Sequence, residues 1–387
     1  MSHAFLAPSA ASCWVECPGS AAMGAMIPET KSEAAIAGDA AHWLCQMLLE
    51  DCVNGEYANL NIQQYLGQTD PAGTIITPDM GEAAAMYVEE IAFTMDSVGW
   101  DKLFIESHVS TPIHEECHGT PDAYFYEVGI DTMHIWDFKY GFGDVAAFEN
   151  WQLICYYAGA MESYGFTDPT ALRVDFCIVQ PRCFTASGPV KKWSVAASDL
   201  GGALVRLRGA AAEAVKPTAP VVSGNQCRYC PARHMCKSAR ESALDAITYQ
   251  NTMTPEPLSD DGLAYEMGTL QNAIKALKYR ESALHDEASA RIATGRKIPN
   301  FSRVPTVGNR KFNAEPAVLA MIAPAGVVLL KDPEAVSPAE AERRLKKSGK
   351  KPAEIAAMFD GLIDRPSTGT KVVMDKGTEA RRIFSQL

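Results

Sequence analysis

No run of apolar residues in this 387-residue chain is long enough to cross a bilayer, which excludes a helical membrane-spanning role. The first residues, Met1-Ser2-His3-Ala4-Phe5, lack the basic-then-apolar layout of a secretory signal, so the expected location is the cytoplasm. Positive charge is also short. The 35 Lys/Arg stand against 47 Asp/Glu, and a net charge of −12 argues against a protein that coats nucleic acid generically. It does not argue against one that grips DNA locally. Internal repeats and low-complexity tracts are absent, which excludes a repeat array.

What is present is enough apolar material, 47%, for a substantial core, and the length suits one large domain with an appendage. There are 11 cysteines. In a reducing cytoplasm disulfides are not expected, so clustered cysteines point to a metal or iron–sulfur site and scattered ones to core packing. Charge is uneven. Ala341 to Leu387 holds 11 Lys/Arg and 6 Asp/Glu, a local excess of +5. Such a tail suits contact with phosphates or an acidic partner surface, and equally a solvated amphipathic helix.

Periodicity predicts a helix over Ser32–Asp51, with Ala40, Ala41, Leu44 and Leu48 on one face, and a second over Pro78–Val98. Three β-leaning runs follow at Lys102–Val109, Ala123–Val128 and Met133–Tyr140. A helix over Glu149–Tyr164, a strand over Leu172–Gln180 and a helix over Ala197–Ala214 complete the block. This order predicts an α/β domain with a central mixed sheet flanked by helices. The Pro-rich stretch Thr252–Ser259 marks a boundary, giving domains 1–250 and 251–387. Beyond it a long helix is expected from Asp260 to Thr294, then an extended stretch Ile298–Phe312 and two short helices in Pro338–Ile363. The second region is thus read as mostly helical, serving as a DNA clamp, a partner-docking arm or a multimer contact.

Four groups of residues carry chemistry. In Asp137-Phe138-Lys139 the first and third residues of a strand share one face, and Asp122, in Gly119-Thr120-Pro121-Asp122, opens the preceding strand beside them. A cation between two such carboxylates binds a phosphate oxygen, while the lysine orients or deprotonates a water. An ordinary edge-strand ion pair has the same pattern. Against that, Ile135, Trp136 and Phe138 surround the charges with apolar side chains, where unpaired charge is expensive. The second group is Gly38-Asp39-Ala40-Ala41-His42, whose imidazole can ligate Mn²⁺ or Mg²⁺ or be an ordinary half-buried histidine; the small residues before it are expected to admit another backbone. The third is the i, i+4 pair Gln152 and Tyr156, able to hydrogen-bond a phosphate or fix the lysine, or simply surface and core. The fourth is Cys227, Cys230 and Cys236, a strong metal-ligand spacing that needs one more ligand. His234 would complete a zinc site. Cys17 would complete an iron–sulfur site, with Cys13 as a competitor.

Taken in order, Gly38-x3-His42, Gly119-Thr120-Pro121-Asp122, Asp137-Phe138-Lys139 and Gln152-x3-Tyr156 resemble the RecB-type branch of the PD-(D/E)xK nuclease superfamily. One cysteine before these motifs and three after them resemble its iron–sulfur subset. More closely, the Ser/Ala-rich lead into Cys17-Pro18 and the stretch Pro366–Lys371 resemble a phage- and prophage-encoded family, over nearly the whole chain. The resemblance implies a restriction-endonuclease-like core. It implies a Mg²⁺ or Mn²⁺ ion held by His42, Asp122, Asp137 and the carbonyl of Phe138, and water positioning by Lys139, with Gln152 and Tyr156 completing the site. It also implies a [4Fe–4S] cluster on Cys17, Cys227, Cys230 and Cys236 that staples the N-terminal segment to the far side of the domain. The superfamily often has Glu at position 137, and the shorter Asp arm restricts metal geometry.

The implied function is a metal-dependent deoxyribonuclease, read as an exonuclease, in phage DNA recombination, repair or replication in a bacterial host cytoplasm. Its partners would be DNA and a single-strand annealing protein or helicase, with a homo-oligomer possible. Two other readings stand beside it: a non-catalytic DNA-binding module that organises a recombination complex, and a zinc-binding structural protein built on Cys227, Cys230, Cys236 and His234.

Overall fold

The computed structural model describes residues 4–28, 31–56, 61–166, 172–183, 188–249, 259–307, 311–312, 321, 330–331, 334–335, 338–364 and 367–374. They fall into two units, Met1–Glu281 and Ser282–Leu387.

The first unit opens with two short helices, α1 (Ala11–Trp14) and α2 (Ser20–Ala25). Helix α3 spans Glu33–Asp51, started by Ser32, whose side chain accepts from the Ala35 N–H. Helix α4 spans Pro78–Val98, with Thr77 as N-cap and proline at its first position. A five-stranded sheet follows. Its strands, in chain order, are β1 (Phe104–Ile105), β4 (Ala123–Glu127), β5 (Thr132–Phe138), β6 (Arg173–Val179) and β7 (Val190–Ala196). They lie side by side in that same order. Between β1 and β4 a separate two-stranded ladder forms from β2 (Val109–Ser110) and β3 (His118–Gly119). Only β5 and β6 run parallel, and helix α5 (Trp151–Ser163) makes the crossover that a parallel pair requires. The central mixed α/β sheet expected from the sequence is therefore present.

All seven residues of β5 are buried, because helices cover both faces of the sheet. Met133 and Ile135 pack with Leu153, Tyr157 and other residues of α5. Trp136 and Phe138 pack on the opposite side with Leu44 and Leu48 of α3 and Tyr87 of α4. Asp137 shares the parity of Met133 and Ile135, so strand alternation sends it toward α5. Two glycines permit close approach here. A methyl group on Gly159 would sit 2.6 Å from Val109 Cγ2, and one on Gly119 would sit 3.1 Å from Pro8 and 3.3 Å from Tyr156.

Some expectations shift. The run Lys102–Val109 is not one strand: it breaks after Ile105, where Glu106 takes a left-handed φ of 41°. The strand β7 has no counterpart in the sequence reading. Helix α6 (Gly201–Ala214) starts later than Ala197, after a 3₁₀ turn over Ala197–Leu200. Gly38 admits no neighbouring backbone, since nothing lies within 4 Å of where its Cβ would be.

After α6 come two 3₁₀ turns, Asn225–Arg228, which holds Cys227, and Pro231–His234, which Cys230 and Cys236 flank, then α7 (Lys237–Tyr249) and α8 (Asp260–Ala293), which bears out the long helix expected from Asp260. The boundary stretch Thr252–Leu258 lies outside the described residues. In the second unit Phe301–Val307 pairs antiparallel with Ser367–Met374. Helices Pro338–Lys347 and Pro352–Met358, as expected, bury Ala341, Leu345, Ile355 and Phe359 together. The last part of the basic tail, residues 375–387, is outside the described residues.

Candidate active site

The carboxyl-terminal end of β5 gathers the motif residues. Asp122 enters from the start of β4, and its Oδ2 accepts the Phe138 N–H at 2.6 Å. Its Oδ1 lies 3.4 Å from His42 Nδ1, brought in by α3. Lys139 Nζ donates to Asp137 Oδ1 at 3.1 Å and to Gln152 Oε1 at 3.2 Å. Gln152 Nε2 returns a bond to Asp137 Oδ1 at 2.9 Å and reaches the Tyr156 hydroxyl at 3.3 Å. Gln152 is held in the first turn of α5 by Asn150, whose side chain accepts from the Gln152 and Leu153 N–H groups. The amide, rather than the phenol, therefore touches the lysine.

Asp137 Oδ2 is buried and makes no hydrogen bond among the described residues. It lies 2.8 Å from the Lys139 ammonium, so the contact is an ion pair without hydrogen-bond alignment. A buried carboxylate oxygen with a free lone pair is suited to a cation.

The sequence reading did not identify Glu106. Its N–H donates to the Asp122 carbonyl at 3.1 Å, and the left-handed backbone turns it into the site. Ligand atoms of His42, Glu106 and Asp122 all lie within 4.8 Å of one another. Octahedral Mg²⁺ with bonds of about 2.1 Å places its ligands roughly 3 to 4 Å apart, so these oxygen and nitrogen donors are of the right kind and stand within a small side-chain adjustment of such a shell. The one local signal for Glu106 was a carboxylate directly after the apolar Leu103-Phe104-Ile105, much as Asp137 follows Ile135 and Trp136.

The electrostatics separate the carboxyl groups. Burial works against charge on Asp122, but His42, Lys139 and the Phe138 N–H outweigh it and hold the carboxyl below its usual range. Burial, with Asp122 adding to it, lifts Asp137 above the usual range despite Lys139. Burial and then Asp122 push Glu106 up to about 8. Burial disfavours charge on Lys139 and on His42. For Lys139 it is outweighed by Asp137 and Asp122, and for His42 by Asp122, so both pKa values rise. The lysine stays an ammonium.

Beyond Lys139 the chain presents an aromatic edge. The Arg182 guanidinium, just after β6, lies 4.3 Å over the Tyr140 ring and 3.9 Å over the exposed Phe142 ring. Buried Gln180 fixes this loop by donating to the Gly141 and Gly143 carbonyls at 2.8 and 2.7 Å.

The cysteines form a second centre. Gly19 N–H bonds the Pro220 carbonyl at 2.9 Å, and Val222 N–H bonds Cys17 Sγ at 3.2 Å, which ties the N-terminal segment to the cysteine loop. Gly224 and Ala239 N–H groups point at Cys227 and Cys236 sulfurs at 3.4 and 3.5 Å. Burial raises the Cys230 thiol, and Cys17, Cys227 and Cys236 raise it further, so these four are neighbours. Cys13 is close as well: burial, then Cys230, lift its thiol to about 12, and its Sγ lies 3.5 Å from the Gln226 carbonyl. His234 turns Nδ1 to the Pro231 carbonyl at 3.2 Å. Among the described residues no three of these sulfur and ring-nitrogen atoms meet within 4.8 Å. Ligands on a tetrahedral zinc stand about 3.8 Å apart. As placed, these side chains do not close a tetrahedral shell of that size. The other six cysteines are buried, as core residues.

Together these features define a mixed α/β protein with a carboxylate–lysine centre at the end of its central strand. The chain belongs to the DUF2800 family, described as proteins of unknown function, whose family model matches residues 3–380. Among solved structures it is similar to a protein of Eubacterium rectale provisionally named an exonuclease, at 10% identity and a TM-score of 0.30, over 66% of this chain and 91% of that one.

Proposed function

We propose that this protein is a metal-dependent deoxyribonuclease that hydrolyses phosphodiester bonds, acting as an exonuclease. The observation that carries the reading is the pairing of two half-sites at the end of β5. One is a cation-sized group of His42, Glu106 and Asp122; the other is the Asp137–Lys139–Gln152 network beside it. Mg²⁺ or Mn²⁺ bound there would polarise a phosphate oxygen and lower the pKa of a bound water. Asp122 supplies a carboxylate already ionised, and the Phe138 N–H fixes its direction. Lys139, pinned between Asp137 and Gln152, holds positive charge where a phosphate would gain negative charge. Arg182 and Phe142 offer a cation and an exposed ring for a phosphate and a base of the approaching strand. Cys17, Cys227, Cys230 and Cys236 are proposed to hold a [4Fe–4S] cluster. The resemblance, rather than the geometry, ties the activity to phage recombination, repair or replication and to an annealing protein or helicase.

The test is cleavage of 5′- and 3′-labelled linear duplex and single-stranded DNA with Mg²⁺ or Mn²⁺. Wild type should release nucleotides from an end. Asp122→Ala and Lys139→Ala should each lose roughly 10²- to 10⁴-fold in rate while keeping the wild-type circular dichroism spectrum. Full activity in both variants would rule the reading out, and tight DNA binding with no cleavage in any metal would favour the non-catalytic module.

A further inference from the structure

Helix α8 carries leucine at every seventh position: Leu263, Leu270, Leu277 and Leu284. Met267 and Ile274 fall between them, so apolar residues alternate by four and three from 263 to 277. This is the a/d repeat of a two-stranded coiled coil, with leucine at every d position. The seam faces solvent. Leu263, Met267, Leu270, Ile274 and Leu277 are 49, 54, 43, 51 and 37% exposed.

The helix meets the rest of the first unit with a different face. Glu266, Thr269, Ala273, Ala276 and Arg280, each one residue back and so about 100° around the helix, are half-buried. Arg280 Nη1 donates to the Arg233 and His234 carbonyls at 3.2 and 2.6 Å. Thr269, Ala273 and Ala276 thus face the cysteine loop across a cavity that Cys227 and Arg233 also line, and the leucine row is left outside. A contiguous apolar row of this length on a soluble surface marks an interaction site.

We propose that this seam is closed by the same seam of a second copy of this chain, as an antiparallel two-helix coiled coil. Knobs-into-holes packing needs a helix with matching four-three spacing, and a second copy presents it in an isologous contact. Charge selects the orientation. Glu281 continues the a series after Ile274, so parallel in-register pairing would set two Glu281 carboxylates against each other in the seam. Antiparallel pairing about Leu270 and Ile274 avoids this. It sets Met267 against Leu277 of the second copy and leaves Glu281 at the seam's end. Glu266 then lies beside Arg280 of the second copy, whose guanidinium has donors beyond those its carbonyl contacts use. The proposal is independent of the nuclease reading.

Light scattering on the full chain should give twice the chain mass at micromolar concentration. Leu270→Asp and, separately, Ile274→Lys should give the single-chain mass with unchanged circular dichroism. Phe93→Asp, at an exposed position on α4, should stay dimeric. A photo-crosslinking amino acid placed at 267 should capture the peptide that contains 277. A wild type that stays monomeric at about 100 µM, where a micromolar dimer would be almost fully formed, or a dimer that survives both seam variants, overturns the proposal. In the first case the seam serves a different protein's helix. Capture of 267 by 267 overturns the antiparallel arrangement.

Discussion

At the scale of single residues, Glu106 is where a cation would change the protein most. With its carboxyl raised to about 8, it is protonated at neutral pH, so an incoming cation must displace a proton. Mn²⁺ affinity should therefore climb by up to about tenfold per pH unit below 8 and flatten above it. Calorimetric titrations at several pH values in buffers of different ionisation enthalpy check this, and Glu106→Gln should remove the slope. The same shift bears on stability. The folded carboxyl holds its proton between the unfolded value of 4.5 and about 8, so the native state binds more protons there and stability falls as pH rises through that window. Metal-free Glu106→Gln should consequently gain in Tm over wild type at pH well above 8 and gain nothing below pH 4. An unchanged difference across that range would show that Glu106 is not buried against Asp122. The sequence made Asp122, Asp137 and Lys139 readable because strand parity is local. Glu106 escaped because its position depends on its own left-handed backbone and a bond to Asp122, far along the chain, which no periodicity encodes.

At the scale of elements, α5 aligns the site through its first turn. Asn150 caps two N–H groups there, and Gln152 links Asp137 to Lys139 from that turn. Asn150→Ala should cost about 1 kcal/mol of stability. It should also lower the cleavage rate by more than that loss would explain at a temperature where both proteins are fully folded; thermal denaturation and rate measurement on one preparation separate the two effects. Gly159→Ala tests packing instead. Its methyl group would meet Val109 2.6 Å away and the Ser110 carbonyl 3.3 Å away, and overpacking of this kind costs roughly 1–3 kcal/mol. A neutral Tm would mean that β2 can retreat. Elements with strong local signals were legible: α4 begins at the proline the sequence offers and α8 follows its apolar spacing. The strand β7 was not, because Lys191 and Lys192 interrupt its run. Lys191 is nonetheless buried, since it donates to the Val145 carbonyl and to Gln180 at 2.9 Å each and pairs with Asp144. Those partners are 11 to 47 residues away, so only the folded chain shows that the lysine is paired.

At the scale of the molecule, the cysteine centre joins parts of the chain that are far apart in sequence. Anaerobically purified wild type should absorb broadly in the blue and carry iron. Cys17→Ser should lose both, and its N-terminal amides should exchange with deuterium faster than wild type's. A colourless protein loaded with zinc would instead support the structural zinc reading. The tie itself does not depend on which group is bound. Val222 N–H reaches Cys17 Sγ across 205 residues, while Leu6, Ala11 and Trp14 from the same segment sit in the core with α5 and α6. On a ribosome adding about 5–20 residues per second, that segment waits roughly 10–40 s before the loop that anchors it exists. The segment is thus made well before the loop that anchors it, and its apolar side chains need shelter in the interval.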